Sequence, residues 1–258
     1  MIEEQLLTLS FPYPERGERP VRVFVPAHEE GERLPVIYMT DGQNLFDVES
    51  SGFGCWYTRE AVRDEREKSG RAAIIVGIHN VDPWRANELT PKSVGEILCP
   101  EEIRPQVKPG GEIFDDFVVN KVKPFVEAHF PVKTGRDDTA FCGSSMGGLQ
   151  SFFTVLSHPD LFCAAGVLSP AFLIYSEADM RRWIHSVLRE EKPFLYLFSG
   201  AADELEKNIL ACTKWTAAIL EDCYPSEKLK LVIQPEQRHH ETAWEPIFRD
   251  FLHIFLMK

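Results

Sequence analysis

At residues 141–151 the chain reads FCGSSMGGLQS, and GSSMG within it fits Gly-x-Ser-x-Gly, with Ser145 in the serine position between Gly143 and Gly147. A serine hydroxyl is a poor nucleophile at neutral pH and needs a base to take its proton and an acid to orient that base. The pattern by itself also fits a glycine-rich turn or a phosphate cradle at a helix N-terminus. Neither GxxxxGK[ST] nor GxGxxG occurs, which disfavours the nucleotide versions. The buried strand TAFC before it and the helical LQSFFTVLSHP after it give the strand-turn-helix setting of a nucleophile elbow. Ser144 falls on the variable position and reads as a small neighbour.

On such a scaffold the acid and the base follow the serine in that order. The first candidate is Asp203 in FSGAADELEKN, at the end of a buried strand and ahead of a helix, with Glu204 in reserve. Its competing role is plain helix N-capping. The second is the pair His239 and His240 in QRHHETAWEP, which carries no metal-ligand spacing such as HExxH. His158 and His185 lie between Ser145 and Asp203, out of order for a base, while His28 and His253 sit in a charged loop and the tail.

These residues need a frame. LLTLSF and VRVFVP flank the turn-rich PYPERGERP, which predicts an antiparallel hairpin at a sheet edge. Apolar runs at 34–40, 72–78, 139–143, 164–169, 193–199 and 229–234 suit strands of a mostly parallel sheet covered on both faces. Helical patterns over 114–130, after Ser145, over 202–223 and in the tail alternate with them, so an α/β, doubly wound fold with helices on both faces follows. No repeat or linker divides residues 1–258, which read as one domain. The proline-rich stretch 80–113 is the irregular insertion expected to wall an active site.

With 28 Lys plus Arg against 40 Asp plus Glu, the net charge is -12. That balance disfavours nucleic acid and anionic membrane surfaces and favours a small-molecule or neutral partner. The N-terminus MIEEQLLTLS lacks the basic start and apolar core of a signal peptide, so a cytoplasmic chain is expected unless a leader was removed. Six cysteines without a CxxC pair read as reduced thiols. Oligomeric state has no signature here.

The combination of YMTDGQNLFD at 38–47, GSSMGG at 143–148, LSPAF at 168–172 and HHETAW at 239–244 resembles the esterase D-like (Putative esterase) family of α/β hydrolases, from about residue 20 to the end. Feruloyl, acetyl xylan and enterochelin esterases and S-formylglutathione hydrolase belong to it. The resemblance implies an α/β-hydrolase fold and a serine esterase (carboxylic-ester hydrolase) with no cofactor, acting on a small soluble ester of sugar-linked, siderophore or thioester type. An acyltransferase or a non-catalytic binding protein on the same scaffold is the alternative. Counting back from Trp244 implies His239 as the base, and Asp203 falls where the family's acid follows a glycine turn. The implied oxyanion donors are the backbone N–H groups of Met146 and of Gln43, with Asn44 as the second choice for the latter. Trp84, Arg85 and Glu88 fall in a family segment that lines the site or holds its loop, and Trp244 shelters the base or packs the last helix.

Overall fold

The computed structural model describes residues 1–14, 16–102 and 106–258. The predicted hairpin forms as β1 (Gln5–Tyr13) and β2 (Gly17–Val25), paired from Gln5 with Val25 to Tyr13 with Gly17. β3 (Val36–Met39), β4 (Ile74–Ile78), β5 (Thr139–Ser144), β6 (Ala164–Leu168), β7 (Phe194–Ser199) and β8 (Leu229–Ile233) complete one eight-stranded sheet in the order β1-β2-β4-β3-β5-β6-β7-β8. β2 meets β4 antiparallel, and every pairing from β4 to β8 is parallel.

Side chains alternate across this sheet and feed two separate cores. Val36 and Tyr38 join one, Ile37 and Met39 the other, and each of these four is fully buried. The second core is covered by α1 (Thr58–Ser69) and α8 (Glu241–Met257), and α8 contributes Trp244, Phe248, Phe251 and Phe255 to it. Over the opposite face lie α3 (Gly111–Phe117), α4 (Lys123–His129), α5 (Met146–Ser157), α6 (Glu177–Val187) and α7 (Glu204–Glu221), with the single-turn α2 (Arg85–Glu88) against α3. This is the α/β-hydrolase fold that the resemblance implies.

Three details depart from the predicted elements. The pattern at 114–130 is broken between α3 and α4 by a π turn over Val118–Val122, just ahead of Pro124, which has no N–H to bond the preceding turn. β8 looks buried in sequence yet is only half-buried, because it is the sheet edge. α1 and α6 were not foreseen. α1 is strongly charged and buries little beyond Ala61 and Val62, whereas α6 does carry Met180, Trp183 and Ile184 at helical spacing. Among the described residues no helix is long and apolar enough to cross a membrane.

Candidate active site

The carboxyl ends of the parallel strands converge on one cavity, as open α/β sheets require. Ser145 stands at the turn from β5 into α5 with φ 58° and ψ -123°, a conformation that a non-glycine residue takes only under strain, at a cost on the order of 1–3 kcal/mol. Its neighbours relieve the crowding: a Cβ on either Gly143 or Gly147 would collide with the Thr40 hydroxyl. The two glycines of the motif therefore let β3 pass beside the elbow. The Ser145 N–H donates to the Leu168 carbonyl at 2.9 Å and its own carbonyl accepts from Ala171 N–H at 3.0 Å, which bolts the elbow to the end of β6.

His239 follows β8 and brings Nε2 to 3.0 Å from Ser145 Oγ. Nδ1 donates at 2.8 Å to Glu206 Oε1, a carboxylate with no solvent exposure. The other oxygen, Oε2, accepts from Gly200 N–H at 2.9 Å and from Ser199 Oγ at 3.1 Å. Burial raises the Glu206 carboxyl, but hydrogen bonds from His239 and Ser169, and then from Gly200, outweigh it and hold the group below its ordinary value. The anion on Nδ1 is thus fixed by donors on three sides.

Asp203, the acid expected from sequence, does not touch the imidazole. Its Oδ1 accepts from Glu206 N–H at 2.8 Å as the N-cap of α7, and its Oδ2 accepts from the backbone N–H of His239 at 3.0 Å. Capping, the competing role, uses up the side chain, and the carboxylate that reaches Nδ1 comes from one helical turn further on. Glu204, the reserve, is exposed and pairs with Lys207 at 3.5 Å. The two histidines separate equally clearly: His240 caps α8, its Nδ1 accepting from Thr242 N–H at 3.2 Å.

Trp244 sets its ring edge-on to His239, with centroids 4.9 Å apart and planes at 87°, and donates its indole N–H to Ser169 Oγ at 2.9 Å. It both covers the His239 ring and packs against Trp56. Ser169 is fully buried with φ 41° and links the tryptophan, β7 and Glu206, a role the LSPAF stretch did not reveal.

The cavity beside Ser145 has a volume of about 400 Å³. Gln43 and Asn44 line it from the 3₁₀ turn Gly42–Asn44, which follows Asp41 at φ 56°. Asn44 N–H is already bonded to the Asp41 carbonyl at 2.8 Å, whereas the Gln43 carbonyl takes the Ser50 hydroxyl at 2.7 Å. Met146 carries the first N–H of α5, which has no partner within the helix and follows directly on Ser145.

Arg85 lines the cavity as well, its guanidinium bidentate on Asp41 at 2.5 and 2.9 Å. Glu88 and Trp84 do not line it. Glu88 is 1% exposed and is gripped by Arg19 at 2.6 and 2.8 Å and by Arg16 at 3.0 Å, while Trp84 lies under the Arg16 guanidinium at 4.5 Å. Both hold α2 against the hairpin, and α2 carries Arg85. From the 80–113 stretch the cavity takes Asn80, Asp82, Pro83, Arg85 and Ala86; further along, Leu98 N–H bonds the Ile174 carbonyl at 2.8 Å, away from the site. Among the described residues no cluster of three or more His, Cys, Asp or Glu side chains could hold a metal ion.

Comparison with known proteins follows the same line. A siderophore triacetylfusarinine C esterase from Aspergillus fumigatus is 27% identical over 203 residues, 76% of this chain and 63% of that protein. A siderophore enterobactin esterase from Emericella nidulans is 29% identical over 67% of this chain and 54% of its own length. The chain therefore spans less than two thirds of these relatives. A siderophore hydrolase from Aspergillus nidulans superimposes with a TM-score of 0.73 at 20% identity, covering 96% of this chain and 93% of the other, a likeness of fold. The model of the family described as Putative esterase matches residues 16–192, and the chain belongs to that family.

Proposed function

We propose that the chain is a serine carboxylic-ester hydrolase whose acid is Glu206. The observation that carries this reading is the continuous path from Ser145 Oγ to His239 Nε2 at 3.0 Å and from His239 Nδ1 to Glu206 at 2.8 Å, at the floor of a cavity. Ser145 attacks the ester carbonyl while His239 Nε2 takes its proton. The imidazolium then gives that proton to the departing alcohol, and His239 draws a proton from water to cleave the acyl-enzyme. Glu206 stays ionised, holds Nδ1 protonated and offsets the positive charge on the ring.

The tetrahedral intermediate places negative charge on the former carbonyl oxygen. Met146 N–H serves as one donor and Gln43 N–H as the other, since the Asn44 N–H is already committed. Removing a single donor of this kind costs roughly 2.7–4 kcal/mol of transition-state stabilisation. A cavity of about 400 Å³ fits a small ester or one arm of a larger one, and the siderophore esterases among the relatives support a soluble ester of that type. Ser145→Ala assayed on short p-nitrophenyl esters tests the reading: turnover is lost if Ser145 is the nucleophile, and wild-type turnover rejects it.

A further inference from the structure

The mouth of the cavity carries one side chain that the mechanism leaves unused. Phe53 lines the cavity yet is 72% exposed, unlike Trp56 and Trp244, which line the same space and are 3% and 5% exposed. Large apolar side chains are ordinarily scattered singly over a surface, and such scatter carries no meaning. Phe53 differs because its backbone is tethered on both sides at the cavity that Ser145 also lines.

On one side, Gly52 N–H donates to Asn44 Oδ1 at 3.4 Å, and Ser50 Oγ donates to the Gln43 carbonyl at 2.7 Å while accepting from Arg22 at 2.8 Å. On the other, Gly54 N–H donates to Ser51 Oγ at 3.1 Å, and Trp56 N–H donates to the Asn44 carbonyl at 2.9 Å. Gly54 itself sits at φ 137°, and a Cβ there would come within 3.0 Å of the Glu241 Cβ, so only glycine lets this loop close against α8. The loop is thus tied to the oxyanion side through Asn44 and to the base side through Glu241. It presents an aromatic ring, already positioned, to whatever occupies the cavity.

We propose that Phe53 determines specificity by closing over an apolar aryl or alkyl group of the ester bound at Ser145, with Trp56 and Trp244 forming the opposing apolar wall. The proposal rests on the ester-hydrolase reading and names the substrate class for that site. A ring on a tethered loop that is wet in the free protein and dry in the complex returns its apolar area to the bound state, with the backbone share of the ordering cost already met.

The test uses two ester series, one with a fixed alcohol and acyl groups from acetyl to benzoyl, the other with a fixed acetyl group and alcohols from methyl to phenyl. In the wild type kcat/KM rises with apolar size in at least one series. Phe53→Ala raises KM for the largest member of that series about 5- to 10-fold, the scale of an aromatic contact, and the loss shrinks as the apolar group shortens, falling in KM rather than kcat. Phe53→Leu keeps most of the rise. A Phe53→Ala protein that keeps the full rise in both series, an equal loss on every ester, or a wild type indifferent to apolar size overturns the proposal. Calorimetric titration of Ser145→Ala protein with phenyl acetate and methyl acetate reads the same contact without turnover. Tighter phenyl binding that Phe53→Ala abolishes supports it even if the wild type hydrolyses no ester, whereas equal binding with and without Phe53 rejects it.

Discussion

Replacing Glu206 by Gln changes one oxygen for an NH2 and leaves volume almost untouched. Glu206 is fully buried, and the groups against its carboxylate are donors: His239 Nδ1, Gly200 N–H, Ser199 Oγ and the Ser169 hydroxyl. A neutral amide can satisfy only part of that set. If its NH2 faces His239, two N–H groups oppose each other and the ring must move its proton to Nε2, where it can no longer accept from Ser145. The loss for a triad acid blocked in this way is roughly 10⁴-fold in kcat, or about 5.4 kcal/mol. Asp203→Ala removes something different, namely the acceptor for the N–H groups of Glu206 and His239. A lost N-cap costs about 0.5–2 kcal/mol of stability. The second bond, made to a charged acceptor, adds about 1.5–3 kcal/mol. Steady-state kinetics on p-nitrophenyl acetate with urea denaturation of both variants separates the two roles. Glu206→Gln stays folded and loses turnover; Asp203→Ala unfolds at lower urea and keeps kcat within about tenfold of wild type. A larger kcat loss at Asp203 than at Glu206 refutes the assignment.

Other perturbations probe the frame and the second histidine. Glu88→Gln breaks a buried cluster with Arg19 and Arg16 and lowers unfolding free energy by about 3–5 kcal/mol in urea titration. His240→Ala removes a helix cap, lowers stability by no more than about 1 kcal/mol and leaves kcat near wild type, whereas His239→Ala abolishes turnover. The His158 imidazole donates from Nε2 to Asp115 Oδ2 at 2.7 Å, and that hydrogen bond raises its pKa above the ordinary 6.5. Its stabilising contribution is fully present below pH 6.5 and is lost as pH rises through the raised value. Thermal melts across pH 6–9 therefore show a steeper fall in the wild type than in His158→Gln, and parallel curves contradict the pairing.

The pairing of Ser145 with His239 was legible in the sequence, the serine from the local demands of the elbow and the histidine from the resemblance, which counts back from Trp244. The elbow demands glycines at fixed offsets, and Thr40 enforces that demand in space. Asp203 was expected beside the imidazole and Glu206 stands there instead, because both are acidic, both lie near the end of β7, and they differ in which way the first turn of α7 faces. Asp203 caps α7 through Glu206 N–H, which is the N-capping role that its place ahead of a helix already offered, while the Glu206 side chain turns back to Gly200, Ser199 and His239 instead of closing a capping box. Glu88 read as a residue that contacts substrate or holds the loop because its segment resembles one of the family's, and it does the latter: Arg85 turns to Asp41 while Glu88 turns to Arg19 and Arg16. Asp41, Ser169 and Trp56 reach the site from distant strands and turns, and no spacing in the chain announces that. The sheet itself was readable from its buried runs. Only the edge strand β8 misled, since half-burial and full burial share the same apolar pattern.

Acid quench of the protein during turnover of a slowly deacylated ester, followed by peptide mass mapping, tests the central claim most directly. The account predicts a single acyl group on Ser145, absent from Ser144, that accumulates in a burst and vanishes in Ser145→Ala. Ester hydrolysis that proceeds at the wild-type rate with no acyl group on Ser145 contradicts it.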